Sequence, residues 1–267
     1  MKIKHTIKDV IRPIWIRLNN FYNFPCESPL WHGIHNFYNL FIQLVSRYQP
    51  DVVSDLKELI EIKERTRKKT DISDHLVDLF IQSLEIRPKL IVELGVGGGE
   101  STFVLERVAR ICNSVIVSVD INDCSQVISY KDWHFIQKDD IAFTREFDGW
   151  CREKKIDPQI DALFIDTSHL YEHTVEEIGS WFPFLSDKAR VFFHDTNLTK
   201  LYFRKDYSMG LGWNNERGVI KALEKYFNTQ FNEKDDFTAI INGWLIKHHS
   251  HCLGFTTLEK LPFLQMK

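Results

Sequence analysis

Residues 93–102 read Glu93-Leu94-Gly95-Val96-Gly97-Gly98-Gly99-Glu100-Ser101-Thr102. Glycine has no Cβ, so such a run lets the backbone turn sharply and lets a ligand approach the main chain. Phosphate-binding patterns do not fit it. The dinucleotide fingerprint G-x-G-x-x-G needs glycine at position 100, where Glu100 stands, and a carboxylate at a helix N-terminus repels a pyrophosphate. The P-loop needs Gly-Lys-Ser/Thr, and no lysine follows these glycines. What surrounds the turn is acidic: Glu93 before it, Asp120 after the next apolar run, and Asp139 or Asp140 after the third. Asp120 stands where a carboxylate accepts hydrogen bonds from a ribose diol, and Asp139 or Asp140 is placed for an adenine amino group. Acidic groups suit a nucleoside bearing a positive charge, such as a sulfonium, and not a diphosphate. The candidate ligand set is thus Glu93, Gly95, Gly97, Gly99, Ser101, Thr102, Asp120, Asp139 and Asp140, joined by Asp166 from the next loop.

Two further segments combine proton carriers with carboxylates, Asp166-Thr167-Ser168-His169 and His194-Asp195-Thr196-Asn197. A neutral histidine, with an unperturbed pKa of about 6.5, accepts a proton near neutral pH. His169 is the first candidate base and His194 the second, with Asp166 as a catalytic partner. The plainer alternative has Asp166 capping a helix and Asp195 bonding loop backbone. His169 to His173 also fits H-x-x-E-H, a zinc-protease pattern that needs both histidines on one helix; its start at a strand end argues against that reading. His248-His249-Ser250-His251 is expected to be a surface run. Between 201 and 217, Arg204, Tyr207, Trp213, Asn215 and Arg217 mix aromatic faces with hydrogen-bond donors and are the candidate substrate contacts, since loops beyond strand ends carry specificity. Their alternatives are a helix N-cap for Asn215 and an exposed charge for Arg217.

These residues need a scaffold. Short apolar runs at 90–94, 115–119, 134–137, 162–165 and 191–193 lack polar alternation, as strands buried on both faces do, and helical segments separate them. The pattern predicts a doubly wound, mostly parallel α/β sheet. Val219, Ile220, Leu223 and Phe227 predict a later helix, and two more strands are expected near 237–241 and 244–246. Ahead of the sheet, residues 1–85 read as a helical segment. Ile3, Ile7, Val10, Ile14, Leu18 and Phe21 form a stripe interrupted by Pro13, and Leu56, Leu59, Leu76, Leu79 and Phe80 mark further helices. The expected division is a cap or oligomerisation segment over 1–85 and a ligand-binding domain over 86–267, with a homo-oligomer as one outcome.

Through Glu93 to Gly99 and Asp120 the chain resembles the class I S-adenosylmethionine-dependent methyltransferases, whose Rossmann-like fold matches the predicted sheet. A closer similarity runs through Phe164-Ile165-Asp166-Thr167-Ser168-His169-Leu170-Tyr171, Trp181, Pro183 and Phe192-Phe193-His194-Asp195-Thr196. It is to the small-molecule O-methyltransferases of the macrocin type, to which the protein named cephalosporin hydroxylase is related. The resemblance covers roughly residues 85–200. It implies S-adenosylmethionine as cofactor and O-methylation of a small molecule or sugar. It also implies a divalent ion such as Mg²⁺ at Asp166 and Asp195; in this sequence Asn197 would add a further oxygen donor to those two carboxylates. His194 stands where some relatives have a second acid, which leaves the metal an open question.

Composition bounds the remaining classes. The 267 residues are 43% hydrophobic and 27% charged, with a formal net charge of −3, so no cationic footprint for nucleic acid is expected. Five cysteines are scattered with no C-x-x-C pair, as in a reducing compartment. No apolar run approaches the ~20 residues of a membrane span, and a cytoplasmic protein is expected. Two other classes stay open: a nicotinamide-dependent oxidoreductase, which Glu100 argues against, and a non-catalytic cofactor-binding protein.

Overall fold

The computed structural model describes residues 29–45 and 55–261. The chain divides into two compact units, Met1–Val45 and Ser46–Lys267, so the division falls after Val45 and not at residue 85. The described part of the first unit is one helix, α1 (Pro29–Val45), on which Ile34, Phe37, Leu40 and Phe41 are exposed. The stripe of Ile3 to Phe21 lies outside the described residues.

The second unit runs α2 (Lys57–Arg65), α3 (Leu76–Glu85), β1 (Leu90–Leu94), α4 (Glu100–Cys112), β2 (Val115–Asp120), β3 (Trp133–Gln137), α5 (Asp140–Lys154), β4 (Ile160–Ile165), α6 (Tyr171–Trp181), β5 (Leu185–His194), β6 (Leu201–Phe203), β7 (Met209–Leu211), α7 (Gly218–Phe227), β8 (Phe237–Ile241), β9 (Trp244–His249) and β10 (Phe255–Lys260). Among the described residues eight strands form one sheet, in the order β3-β2-β1-β4-β5-β10-β9-β8. The first five are parallel, while β10 pairs antiparallel with both β5 and β9, and β8 antiparallel with β9. Strands β6 and β7 make a separate hairpin.

Period-two side-chain alternation distributes each strand between two hydrophobic layers. Leu90, Val92 and Leu94 of β1 pack with Phe143, Phe147, Trp181, Leu223 and Phe227 from α5, α6 and α7. Ile91, on the opposite face, packs with Ile62 and Phe80 from α2 and α3 and with Val104 and Val108 from α4. Helices α2 and α3 therefore belong to the same packed body as the sheet. Trp181 and Phe147 are fully buried, and each such side chain contributes about 2–3 kcal/mol through water released from apolar surface.

Strand order reverses between β1 and β4, so the loops after these two strands open a crevice at the carboxyl edge, the usual ligand position in such sheets. This is the predicted doubly wound architecture. Two elements escaped the sequence reading: the β6–β7 hairpin, read as a loop, and β10, inserted beside β5. Among the described residues no helix is long and apolar enough to cross a membrane. Cys112, Cys124, Cys151 and Cys252 are free thiols.

Candidate functional site

The glycine-rich turn joins β1 to α4, with Gly95, Gly97 and Gly99 all at positive φ. Gly95 is required by a close approach: a Cβ there would overlap the Asp166 carbonyl oxygen. The Asp166 amide also donates to the Leu94 carbonyl at 2.8 Å. The ends of β1 and β4 are thereby in direct contact, and the turn and the Asp166 segment form one continuous wall. Above Gly97 and Gly98 a Cβ would meet nothing within 4 Å, which leaves main-chain surface open to a ligand.

The acids around this turn divide their work. Asp120 Oδ2 accepts from the Val96 and Gly97 amides at 2.8 and 3.1 Å, and Oδ1 accepts from the Asn122 amide at 2.8 Å. Burial alone would raise its pKa, but these amide donors hold it below the usual carboxylate value, so it is ionised beside the turn. Glu93 is completely buried and accepts from the hydroxyls of Ser101 (2.7 Å), Thr102 (3.0 Å) and Ser118 (2.6 Å). Burial pushes Glu93 up to about 7 against the pull of those hydroxyls. Glu93 and the Ser101 and Thr102 hydroxyls were expected at the ligand; the structure turns them inward, bracing the turn from beneath. Asp139 is exposed and caps α5, accepting from the Ala142 amide at 2.8 Å. Its neighbour Asp140 is buried and faces His173, so it is not a candidate for the adenine. Glu100 is neutralised by Arg65 at 2.6 Å and Lys68 at 2.5 Å. Its charge is therefore a weaker barrier to phosphate than its position in the sequence implied.

The second group of residues converges as the sequence suggested. His169 lies between two carboxylates, with Nε2 3.2 Å from Asp195 Oδ2 and Nδ1 3.8 Å from Asp166 Oδ1. His169 (φ 58) and Asp195 (φ 56) both adopt the left-handed backbone region, a strain that packing must sustain and that clusters at functional sites. Gly218 and Asn215 supply that packing. A Cβ on Gly218 would overlap the His169 carbonyl oxygen, to which Asn215 Nδ2 donates at 3.0 Å. Asp166 does not cap α6, whose N-cap is Leu170.

His194 is a different kind of group. It is buried, with Nδ1 3.2 Å from both Asp166 Oδ1 and Asp195 Oδ1 and Nε2 3.2 Å from the Asp71 carbonyl. Burial would lower its pKa, but the Asp195 and Asp166 charges push it up to about 10. With acceptors at both nitrogens it is an imidazolium and has no lone pair to act as a base. The sequence-based expectation of His194 as a base is corrected on that ground. Two carboxylates and one imidazolium leave the corner with surplus negative charge, and buried Asp195 Oδ1 has only the ion-pair contact to His194. Asp166, His169 and Asp195 can bring one ligand atom each within 4.8 Å of one another, a donor set compatible with a divalent cation. Asn197, expected as a third ligand, donates its amide nitrogen to the Ser250 carbonyl at 2.6 Å; the side chain that joins the carboxylates is His169.

The expected substrate contacts also separate. Trp213 is 44% exposed with its ring centroid 6.0 Å from that of His169. Tyr207 sits in the β6–β7 turn at φ 68. Arg204 is buried and spends its donors on the Thr70 and Met209 carbonyls and the Tyr202 hydroxyl. Arg217 is tied to Glu233 and Glu224, each at 2.8 Å. Both guanidiniums are structural ties, which corrects their assignment to substrate. Asn215 acts through His169. His248, expected on the surface, is buried and lies 2.8 Å from Thr256 Oγ1 and 2.9 Å from the Glu233 carbonyl. The H-x-x-E-H pattern does not converge: His169 faces Asp195, His173 faces Asp140, and Glu172 is exposed. The partnership of His173 and Glu177 with Asp140 was missed, although their i, i+4 spacing on α6 was a readable signal.

Residues 92–196 match the family described as Methyltransferase domain. No curated protein matches the sequence. Among solved structures, the methyltransferase MycE from the mycinamycin biosynthetic pathway, in complex with Mg and SAH, is 18% identical, covers 78% of this chain and 55% of its own, and has a TM-score of 0.50. A second MycE complex, with Mg, SAH and mycinamycin VI, is likewise 18% identical over 78% of this chain and 54% of its own, at a TM-score of 0.49. The SAH-bound Podospora anserina methyltransferase PaMTH1 is 13% identical over 90% of this chain and 98% of its own, at 0.46. The chain spans about half the length of the MycE chains. By its strand order, the segment matched over 92–196 and the MycE likeness, the second unit has the Rossmann-like fold of the class I methyltransferases.

Proposed function

We propose that this protein is an S-adenosylmethionine-dependent methyltransferase that methylates a hydroxyl of a small molecule or sugar. The observation that carries the proposal is the contact between Gly95 and Asp166. It makes an open, acid-rimmed nucleoside turn continuous with a corner that holds an oriented histidine. In this reading the main chain at Gly97 and Gly98 and the ionised Asp120 hold the adenosyl group, and Asp139 lies nearest the base. S-adenosylmethionine supplies an electrophilic methyl carbon and leaves as S-adenosylhomocysteine. The surplus negative charge at Asp166 and Asp195 favours a cationic sulfonium nearby.

His169 is the base. Asp195 Oδ2, 3.2 Å from Nε2, favours the tautomer with its proton on Nε2, which leaves the lone pair on Nδ1. Nδ1 takes the proton of the acceptor hydroxyl, and Asp166 Oδ1, 3.8 Å away, steadies the resulting imidazolium. Asp166 and Asp195 would hold a divalent ion such as Mg²⁺, whose chemistry is to lower the pKa of a bound hydroxyl. Trp213 offers an aromatic face beside His169 for the acceptor.

Calorimetric titration tests the proposal. The protein binds S-adenosylmethionine and S-adenosylhomocysteine, and Asp120→Ala weakens both by roughly 10–100-fold, the value of one or two charge-assisted hydrogen bonds. Absence of binding to the unmodified protein refutes it. Binding of a nicotinamide dinucleotide instead supports the oxidoreductase reading, which the neutralised Glu100 keeps in contention.

A further inference from the structure

A second group of ligating side chains lies where the first turn of α5 faces α6. Helix α6 carries His173 and Glu177 one turn apart, and both face Asp140 in the first turn of α5. His173 Nε2 is 3.0 Å from Asp140 Oδ1 and 3.6 Å from Glu177 Oε1. The Glu177 side chain is 0% exposed and that of Asp140 8%. Thr167 donates to Glu177 Oε1 at 2.6 Å, but Glu177 Oε2 and Asp140 Oδ2 are both buried with no hydrogen-bond partner. Two buried carboxylates share one imidazole, and an oxygen of each is left over. Protein interiors do not normally leave buried carboxyl oxygens without a partner, because each forfeits its hydration without replacement.

We propose that Asp140, His173 and Glu177 form a divalent-metal site, separate from the Asp166–His169–Asp195 corner and independent of the methyltransferase reading. All three can place one donor atom within 4.8 Å of the others. Metal–ligand bonds of about 2.0–2.1 Å at tetrahedral angles set donor atoms about 3.3 Å apart, and the observed 3.0 and 3.6 Å bracket that spacing. An imidazole with two carboxylates suits a borderline ion of the Zn²⁺ kind better than Mg²⁺, which prefers oxygen alone. The Thr167 hydroxyl is the supporting donor that orients the glutamate, as outer partners of metal ligands commonly do. The 23% exposure of the His173 side chain leaves a path for the ion and room for water as fourth ligand. Binding replaces the proton on His173 Nε2 with the metal and releases it to solvent. Asp140 follows Asp139, and Thr167 follows Asp166. The ion therefore ties the first turn of α5 to α6.

The test uses the full chain, stripped with a chelator and titrated with Zn²⁺, and then with Co²⁺ followed by its visible absorption. Glu177→Gln and His173→Asn each lower affinity at one site at least tenfold, while Asp195→Asn leaves that site intact. Crystals soaked in Zn²⁺ give an anomalous peak within bonding distance of His173 Nε2, a measurement that stands even if a variant fails to fold. No peak there at millimolar Zn²⁺ overturns the proposal. So does bound metal that survives Glu177→Gln unchanged and disappears in Asp195→Asn. Because adenosylhomocysteine binding is measured separately, failure of this site and failure of the methyltransferase reading are distinguishable.

Discussion

Glu93→Gln isolates the energetic cost of the carboxylate beneath the glycine-rich turn. Glu93 is fully buried, and burial outweighs the Ser118, Ser101 and Thr102 hydroxyls to bring its pKa to about 7, from a reference of 4.5. At low pH it is protonated in both folded and unfolded chains. As pH rises past 4.5 the unfolded chain releases this proton while the folded one keeps it, so stability falls until the folded group also ionises near 7. The difference between those two values corresponds to about 3 kcal/mol, lost progressively across that pH window. The replacement amide carries no charge, retains an oxygen for two hydroxyls and donates to the third. The variant should therefore gain about 3 kcal/mol relative to the unmodified protein between about pH 4 and pH 8, whatever constant offset the substitution adds. Urea unfolding across that range, with the m-value checked for constancy, gives the difference directly. A stability difference that is flat with pH to within about 0.5 kcal/mol refutes the account, since Glu93 would then ionise alike in both states.

Three further outcomes follow from the geometry. Gly95→Ala forces a Cβ onto the Asp166 carbonyl at a φ of 85°, so it should lower both the melting temperature and adenosylhomocysteine affinity, the latter read by calorimetry. His169→Ala should lower kcat by about 10²–10⁴-fold, the usual contribution of a general base, with adenosylhomocysteine affinity unchanged within about threefold; equal losses in both would assign His169 to binding. Arg217→Ala should cost about 1–2 kcal/mol by unpairing Glu233, a value reduced by the partial exposure of the arginine. It should leave KM for the acceptor unchanged, and a large rise in KM would restore Arg217 to substrate contact.

The sheet was legible because buried parallel strands carry an unbroken apolar run, and β1 at Leu90–Leu94 coincides with its run. Strand β10 was not, because Thr256, Thr257 and Glu259 interrupt its apolar residues; Thr256 is buried beside His248, a long-range partnership that no local pattern encodes. Asp166, His169 and Asp195 stand out by residue type and position, and they meet because their segments follow the ends of the adjacent strands β4 and β5. Protonation was less visible. His169 and His194 look equivalent in sequence, and only the fold shows His194 buried against the Asp195 and Asp166 charges that raise its pKa, with the Asp71 carbonyl, 123 residues away, at its Nε2. Likewise, nothing local announces that Arg204 and Arg217 are saturated, because their partners include Thr70 and Glu233.

The antiparallel strand β10 sits between β5 and β9, pairing Leu258 with Val191 and with Ile246. During synthesis the five parallel strands and both helical layers leave the ribosome first. Until residues 255–260 emerge, the nascent chain presents the bare edge of β5, including Val191, Phe192 and Phe193, to any passing β-segment. A stalled or truncated product would thus be a nucleus for precipitation even though most of its interior was already made, and chaperone demand should peak just before β10 is translated.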